Sequence, residues 1–350
     1  MAHGEVTLSE INSQPRVWLE ALNDFERRAA EAARFWSAGA FDQILLTGCG
    51  STYYLGMMGA SLLEAMTGIP ARALSASELM LYPEIYFPAG RRTLFIGVSR
   101  SGTTRETVQA ARAFRAGGGG SVAVVTCDSR SPLAQEADLL LAIDSAQEQS
   151  RVQTRSFSSM GVVLTALAAA LGGQDWRQIG ALPEALTWLL ANVEGQIRPL
   201  STDIRITQFV FLGSGARYAL ACEAMLKMTE MSRVFSAAYH TLEYLHGPRY
   251  AADAGTLVVG LLSEAAYAEE IAALQAIRPR RARVIALAEA DQGEAPEKVD
   301  LLMPLSSGVP EWARAILYLP PLQLLGWHQA VERGFDPDNL PYDPRDRATS

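Results

Sequence analysis

Three stretches of this chain carry residue types suited to acid–base chemistry on an anionic substrate. The first is Ser99-Arg100-Ser101-Gly102-Thr103-Thr104, which follows an apolar run over residues 94–98 and leads into a helical pattern over 105–116. Hydroxyls beside the free N–H groups of a helix N-terminus make a ready anion site, because unpaired donors and helix dipole point the same way. Ser99, Ser101, Thr103 and Thr104 can therefore hold a phosphate without a lysine, although the same residues also fit a turn that merely caps a helix. The second stretch runs from Glu223 to Glu230, where helical spacing puts Glu223, Lys227 and Glu230 on one face. A lysine one turn away helps hold a carboxylate ionised, which makes Glu230 a candidate base; a solvated Glu-Lys-Glu set is the plainer alternative. The third is His246-Gly247-Pro248, a break in regular structure that presents a group able to titrate near neutral pH. A loop histidine also serves as a simple hydrogen-bonding residue. His240 is a weaker candidate, and His328 lies in an apolar helix where packing explains it.

Elements must position these residues. Strand-like runs at 44–46, 93–98, 121–126 and 139–143 alternate with turns and helices, which predicts a parallel sheet covered on both faces. An apolar helix over 156–171 ends at Gly172-Gly173, and a helical connector follows at 183–193. The pattern then restarts, with strands expected at 209–212, 256–261, 284–288 and 300–304 and a closing helix over 311–332. The two halves match at an offset of 165 residues: Gln43-Ile44-Leu45-Leu46-Thr47-Gly48-Cys49-Gly50 parallels Gln208-Phe209-Val210-Phe211-Leu212-Gly213-Ser214-Gly215. Two copies in register suggest duplication, with chance similarity through the same strand-to-helix chemistry as the alternative. Gly48-Cys49-Gly50 lacks the third glycine of a dinucleotide fingerprint, and nicotinamide binding is not expected. The hydroxyls of Ser51 and Thr52 instead belong beside those of Ser99 to Thr104, on neighbouring strand ends.

Composition narrows the function further. A net charge of −8 without a long basic run argues against nucleic acid as a partner. No apolar stretch approaches the roughly 20 residues of a membrane span, and the polar N-terminus lacks a secretion signal. Cys49, Cys127 and Cys222 are unevenly spaced and lie in apolar contexts, as free thiols in a reducing cytoplasm would. Their spacing suggests no metal site. Of 30 basic residues only Lys227 and Lys298 are lysines, which limits any chemistry that needs an amine.

Further short segments carry a resemblance. Glu10-Ile11-Asn12-Ser13-Gln14-Pro15, Gly48-Cys49-Gly50-Ser51-Thr52, Ser99-Arg100-Ser101-Gly102-Thr103-Thr104, Gln153-Thr154-Arg155-Ser156-Phe157 and Leu242-Glu243-Tyr244-Leu245-His246-Gly247-Pro248 occur in one order and spacing. In these the chain resembles the sugar isomerase (SIS) family of phosphosugar enzymes, above all the isomerase portion of glucosamine-6-phosphate synthase. It is similar also to stand-alone deaminase, isomerase and deglycase relatives. The resemblance implies an α/β fold of two tandem flavodoxin-like αβα sandwich domains, each on a parallel sheet, related by a pseudo-twofold. Expected boundaries are an N-terminal arm at 1–28, domains at 29–178 and 179–335, and a tail at 336–350.

The resemblance also implies roles. Thr52, Ser99, Ser101 and Thr104 would bind the substrate phosphate. Ser51, Val152, Gln153, Glu243 and Lys227 would line the sugar, with Arg155 either doing so or binding a neighbouring carboxylate. Glu230 would move a proton between C1 and C2, and His246 would serve the ring oxygen or departing amine. A homodimer would complete the site from the neighbouring subunit, without metal or organic cofactor. The second half has Leu262-Ser263-Glu264-Ala265 where the hydroxyl loop would fall, so one phosphate site per chain is expected. The synthase forms a Schiff base through a lysine near its C-terminus. Here Tyr342 or Arg345 takes that place, and a guanidinium cannot form an imine. The chain also starts at the sugar domain, without an upstream glutaminase segment. Glutamine-dependent synthesis is thus not expected; isomerisation or deamination of an amino-sugar 6-phosphate is. A fructosamine-6-phosphate deglycase and a non-catalytic sugar-phosphate sensor are the alternatives.

Overall fold

A computed structural model describes residues 3–87, 90–118, 120–289 and 299–340. The chain opens with helices α1 (Glu5–Asn12) and α2 (Gln14–Gly39). The first sheet follows as β1 (Gln43–Gly48), α3 (Ser51–Thr67), β2 (Ala71–Ser75), α4 (Ala76–Leu81), α5 (Pro83–Tyr86), β3 (Thr93–Ser99), α6 (Arg105–Ala116), β4 (Gly120–Thr126) and β5 (Leu139–Ala142). Helices α7 (Arg155–Leu171) and α8 (Leu182–Ser201) come next. The second sheet is β6 (Gln208–Gly213), α9 (Ala216–Ser232), β7 (Phe235–His240), β8 (Thr256–Leu261), α10 (Tyr267–Gln275), β9 (Arg283–Ala288) and β10 (Leu301–Pro304), closed by α11 (Glu311–Arg314) and α12 (Leu319–Glu332).

Among the described residues each sheet has five strands, all parallel, in the orders β2-β1-β3-β4-β5 and β10-β9-β8-β6-β7. The two-sheet α/β architecture expected from the alternation is present. Two compact units hold them. One contains the described residues from Arg16 to Gln149 and Arg155 to Gly180; the other contains those up to Pro15, Ser150–Thr154 and Ala181–Leu340.

Strands β3 and β8 are buried along their whole length, as the continuous apolar runs at 93–98 and 256–261 require of central strands. In the first unit one face of the sheet packs Leu45, Phe95, Val122 and Val124 against Val108, Ala111 and Phe114 of α6. Those three side chains form the apolar stripe of a helix whose Arg105, Glu106 and Arg112 face outward, with Glu106 in the first turn and Arg115 in the last, as the helix dipole favours. The other face carries α3 along α7. In the second unit Val210, Leu212, Val258 and Val284 pack against Tyr244 and against Ile271 and Leu274 of α10. Helix α9 lies on the opposite face, along α12, because the crossovers β6–α9–β7 and β8–α10–β9 step in opposite directions along the sheet, and right-handed crossovers of opposite direction must use opposite faces.

The closing helix differs from expectation. It breaks into α11, a 3₁₀ turn over Ala315–Tyr318, and α12. Pro320 and Pro321 fit only the first turn of a helix, where the missing N–H is no loss, so α12 has to begin beside them. Among the described residues no helix is long and apolar enough to cross a membrane.

Candidate functional site

In the first unit the chain order reverses between β1 and β3, and in open α/β sheets ligands sit at such reversals, outside the C-terminal strand ends. Both expected hydroxyl segments lie there. Gly50, at φ 54° and ψ −125°, turns β1 into α3 through a conformation open only to glycine. Thr52 is buried; its Oγ1 accepts from the Cys49 N–H and donates to the Cys49 carbonyl, both at 3.0 Å. Ser51 beside it is also buried. After β3, Ser99 Oγ accepts from the Gly102 N–H at 3.1 Å and lies 3.4 Å from Thr104 Oγ1. Ser101 Oγ accepts from the N–H and the hydroxyl of Thr103, at 3.2 and 2.9 Å. Gly102 has φ 61°, and a Cβ there would lie 1.9 Å from Ser131 Oγ. The loop thus gathers Ser99, Ser101, Thr103 and Thr104 into one hydroxyl-lined curl whose outer members, Ser101, Thr103 and Thr104, reach solvent.

The candidate acid–base group lies in the second unit, on the last turns of α9. Lys227 is 1% exposed and donates to Glu230 Oε2 at 2.6 Å, while its ammonium lies 3.3 Å from Glu223 Oε1. Burial alone would push the Lys227 pKa down; the two carboxylates outweigh it and hold it above the ordinary lysine value. Glu223 is fully buried, whereas the Glu230 side chain keeps 33% of its surface open. One carboxylate of this trio is therefore structural in position and the other is available to a ligand.

Val152 and Gln153 join the same end of α9. Val152 is buried against Met231 and Ala330, so its side chain is spent on packing, and its carbonyl accepts from Ser150 Oγ at 3.0 Å. Gln153 is half-buried, and its Oε1 is enclosed without a hydrogen-bond partner among the described residues, a condition that costs free energy until something donates to it. Phe335 and Leu340 pack on the Val152–Met231–Ala330 cluster, which brings the chain just ahead of the tail close to Glu230. Tyr342, Arg345 and Lys298 lie outside the described residues.

His246 is exposed and ends a 3₁₀ turn over Glu243–Leu245, where its N–H is bonded to the Glu243 carbonyl at 3.0 Å. Glu243 is exposed too. Tyr244, in the same turn, is buried on the α10 face of the second sheet. Glu230 rides on α9, on the other face. His328 is buried and bonded to Glu194 at 2.8 Å, as a packed histidine. His240 stacks on Tyr218 with ring centroids 3.7 Å apart. Arg155 bonds the Gln147 carbonyl. Cys127 and Cys222 are buried, and burial pushes both thiols up, Cys222 to about 11. Among the described residues no group of three or more His, Cys, Asp or Glu side chains converges to hold a metal ion.

Both repeats match one family model, that of the SIS domain, at residues 41–171 and 205–333. This chain belongs to the SIS family. A relative from Gloeobacter violaceus, glutamine–fructose-6-phosphate aminotransferase (isomerizing), is 31% identical over 360 residues, covering 98% of this chain and 58% of that protein. The SIS chain thus spans a little more than half the length of the curated relatives it matches. The solved glucosamine-6-phosphate deaminase of Thermotoga maritima is 27% identical with a TM-score of 0.72, covering 92% of this chain and 98% of that one. Tagatose-6-phosphate ketose/aldose isomerase from Escherichia coli shares the fold at a TM-score of 0.86 and 23% identity, over 96% and 95% of the two chains.

Within the SIS repeats the sequence reading passed over two features. Glu148 is wholly buried, accepts a hydrogen bond from Ser156 and lies 3.9 Å from Arg100 of the hydroxyl loop. Arg217 occupies the position of Thr52 in the 165-residue offset and is held by Glu311 at 2.7 Å. The offset itself was the available signal for Arg217. Glu148 gave none, because nothing local marks a carboxylate as buried. A depression of about 770 Å³ in the second unit, lined by Arg205, Arg278, Arg281 and Arg283 with Asp203 and Asp300, opens at the N-terminal strand ends. That is the wrong end for an α/β ligand crevice, and ion pairs from Asp203 and Asp300 occupy three of its arginines.

Proposed function

We propose that this SIS protein is a phosphosugar aldose–ketose isomerase or deaminase acting on an amino-sugar 6-phosphate of the glucosamine-6-phosphate type. Thr52, Ser99, Ser101 and Thr104 take the phosphate, and Ser51, Gln153 and the Val152 backbone meet the sugar. Glu230 takes a proton from one of C1 and C2 and returns it to the other. The observation that carries this reading is the Glu223–Lys227–Glu230 trio: a buried ammonium between two carboxylates, one of them open to a ligand. A structural ion pair has no need to leave one partner exposed, whereas a proton-transfer base must meet substrate. The half-buried, unsatisfied Gln153 supports a polar ligand at the same end of α9.

His246 protonates the ring oxygen or the leaving amine. The histidine that works with a given Glu230 comes from a second copy, as the resemblance to the family implies. A cytoplasmic homodimer is the working form, consistent with a phosphorylated substrate.

The test is direct. Purified protein with glucosamine-6-phosphate should release ammonia and a ketose phosphate. Glu230→Gln should lower kcat by a factor on the order of 10³ or more while phosphosugar still binds, and Glu230→Gln turnover near the unsubstituted rate would reject the role. Ammonia-free conversion of a fructosamine phosphate into an amine and a hexose phosphate would assign the deglycase reaction instead. Binding without turnover on either substrate would assign a sensor. Equimolar mixing of Glu230→Gln and His246→Ala proteins should restore part of the activity, since hybrid dimers then hold one intact pair.

A further inference from the structure

The second sheet has a crevice of its own. Its strand order reverses between β6 and β8, so the corresponding ligand position lies between the turn into α9 and the loop after β8. The backbone is prepared in the same way as in the first repeat: Gly215, at φ 55° and ψ −133°, repeats the geometry of Gly50. Arg217 stands where the first repeat has Thr52. The loop Ser263-Glu264-Ala265 stands where it has Arg100-Ser101-Gly102, as the alignment of Thr93 with Thr256 at the heads of β3 and β8 shows.

This crevice contains an anion, and the anion belongs to the chain. Glu311 Oε1 accepts from Arg217 Nη2 at 2.7 Å and from the Glu264 N–H at 3.0 Å; Oε2 accepts from the Ala265 N–H at 3.3 Å. A guanidinium together with successive backbone N–H groups on one anion is the arrangement that proteins use for phosphoryl groups. The Arg217 side chain is only 11% exposed, and its Nε is enclosed with no hydrogen-bond partner among the described residues. Other charges nearby are already matched. Arg314, 3% exposed, bonds the Glu264 carboxylate and lies 3.2 Å from Glu289, and Glu270 takes the Ser263 N–H and hydroxyl at 2.6 and 3.0 Å. The first repeat has a buried carboxylate in its segment after β5 too, Glu148, which accepts from Ser156, and there Thr52 rather than an arginine stands at the turn.

We propose that the second SIS repeat retains an anion cradle for a phosphoryl group, built from Arg217 and the N–H groups of Glu264 and Ala265, and that the Glu311 carboxylate keeps it closed by standing where that group would sit. The single phosphate site per chain then follows from occupancy by Glu311, beyond the mere lack of a hydroxyl cluster.

Calorimetric titration with inorganic phosphate tests this, comparing the unsubstituted chain, Glu311→Ala, Glu311→Gln, and Glu311→Ala combined with Arg217→Ala. Glu311→Ala should bind one more phosphate per chain than the unsubstituted protein, and adding Arg217→Ala should remove that gain. Glu311→Gln, which keeps the side-chain volume, should show the same extra site with weaker affinity and serves if the alanine variant does not fold. No gain in a variant with native circular dichroism, or a gain that survives Arg217→Ala, overturns the proposal. The readout is a difference between variants. It is independent of whether the first crevice binds phosphate, which Ser99→Ala with Thr104→Ala would report separately.

Discussion

The two crevices of this chain are built on one framework and chemically opposed. Gln43 bonds Thr93 at 2.7 Å and Gln208 bonds Thr256 at 2.5 Å; Arg115 pairs with Asp138 at 2.9 Å and Arg278 with Asp300 at 3.1 Å. The glycine turns into α3 and α9 have the same dihedrals. On that shared frame the first repeat presents uncharged hydroxyls, and the second presents a guanidinium already neutralised by Glu311. The helices behind the turns reverse the contrast. Where α9 carries Glu223, Lys227 and Glu230, α3 carries Met58, Leu62 and Ala65. The two repeats share what holds strands and turns in place and differ in the side chains set on that frame; in the proposed reading one holds an anion and the other moves a proton.

That division can be broken deliberately. The largest effect is expected in the α9 trio. Lys227→Met removes the buried ammonium from between two carboxylates, Glu223 fully buried, and should cost about 3–5 kcal/mol in urea unfolding, whereas giving α9 the α3 residues, as Glu223→Met, Lys227→Leu and Glu230→Ala together, should leave stability near or above the parent while abolishing turnover. A triple variant less stable than Lys227→Met alone would refute the equivalence of the two helices. The pH dependence follows from the sign of the shift. Since the folded Lys227 pKa is raised, its pairing stabilises fully below the ordinary value of 10.5 and is lost as pH climbs through the raised one.

Next come the hydroxyls. Hydrogen bonds to a charged group are worth about 1.5–3 kcal/mol, so Ser99→Ala with Thr104→Ala should raise KM by about tenfold or more. Ser263→Ala in the second loop, whose hydroxyl already serves Glu270, should leave KM unchanged in the same assay. The smallest effect concerns the loop backbone. Gly102→Ala must strain φ and displace Ser131, a cost on the order of 1–3 kcal/mol by thermal unfolding. The reverse change at its counterpart, Ala265→Gly, should cost under about 1 kcal/mol.

Much of this arrangement was legible beforehand, and the omissions share a cause. Central strands such as β3 and β8 are continuous apolar runs, and α6 shows its stripe of Val108, Ala111 and Phe114 directly. Strands β2 and β7 escaped notice because they are edge strands: Ala71-Arg72-Ala73-Leu74-Ser75 and Phe235-Ser236-Ala237-Ala238-Tyr239-His240 are only partly buried and lack a buried strand's pattern. The Glu223–Lys227–Glu230 trio was predictable from spacing, since helical neighbours three and four apart must meet. Its burial was not, since that depends on α12 arriving from nearly a hundred residues away.

By itself the sequence determined the local chemistry: two α/β repeats offset by 165 residues, a hydroxyl loop opening a helix, and three charges on one helical face. Those depend on neighbours along the chain, and backbone periodicity converts spacing into proximity. Only the tertiary structure decided which charges are buried and that Glu311 meets Arg217 and the loop after β8. Each of these depends on which face of a sheet a crossover takes and on what packs over it, contacts between residues whose separation in sequence carries no information about their separation in space.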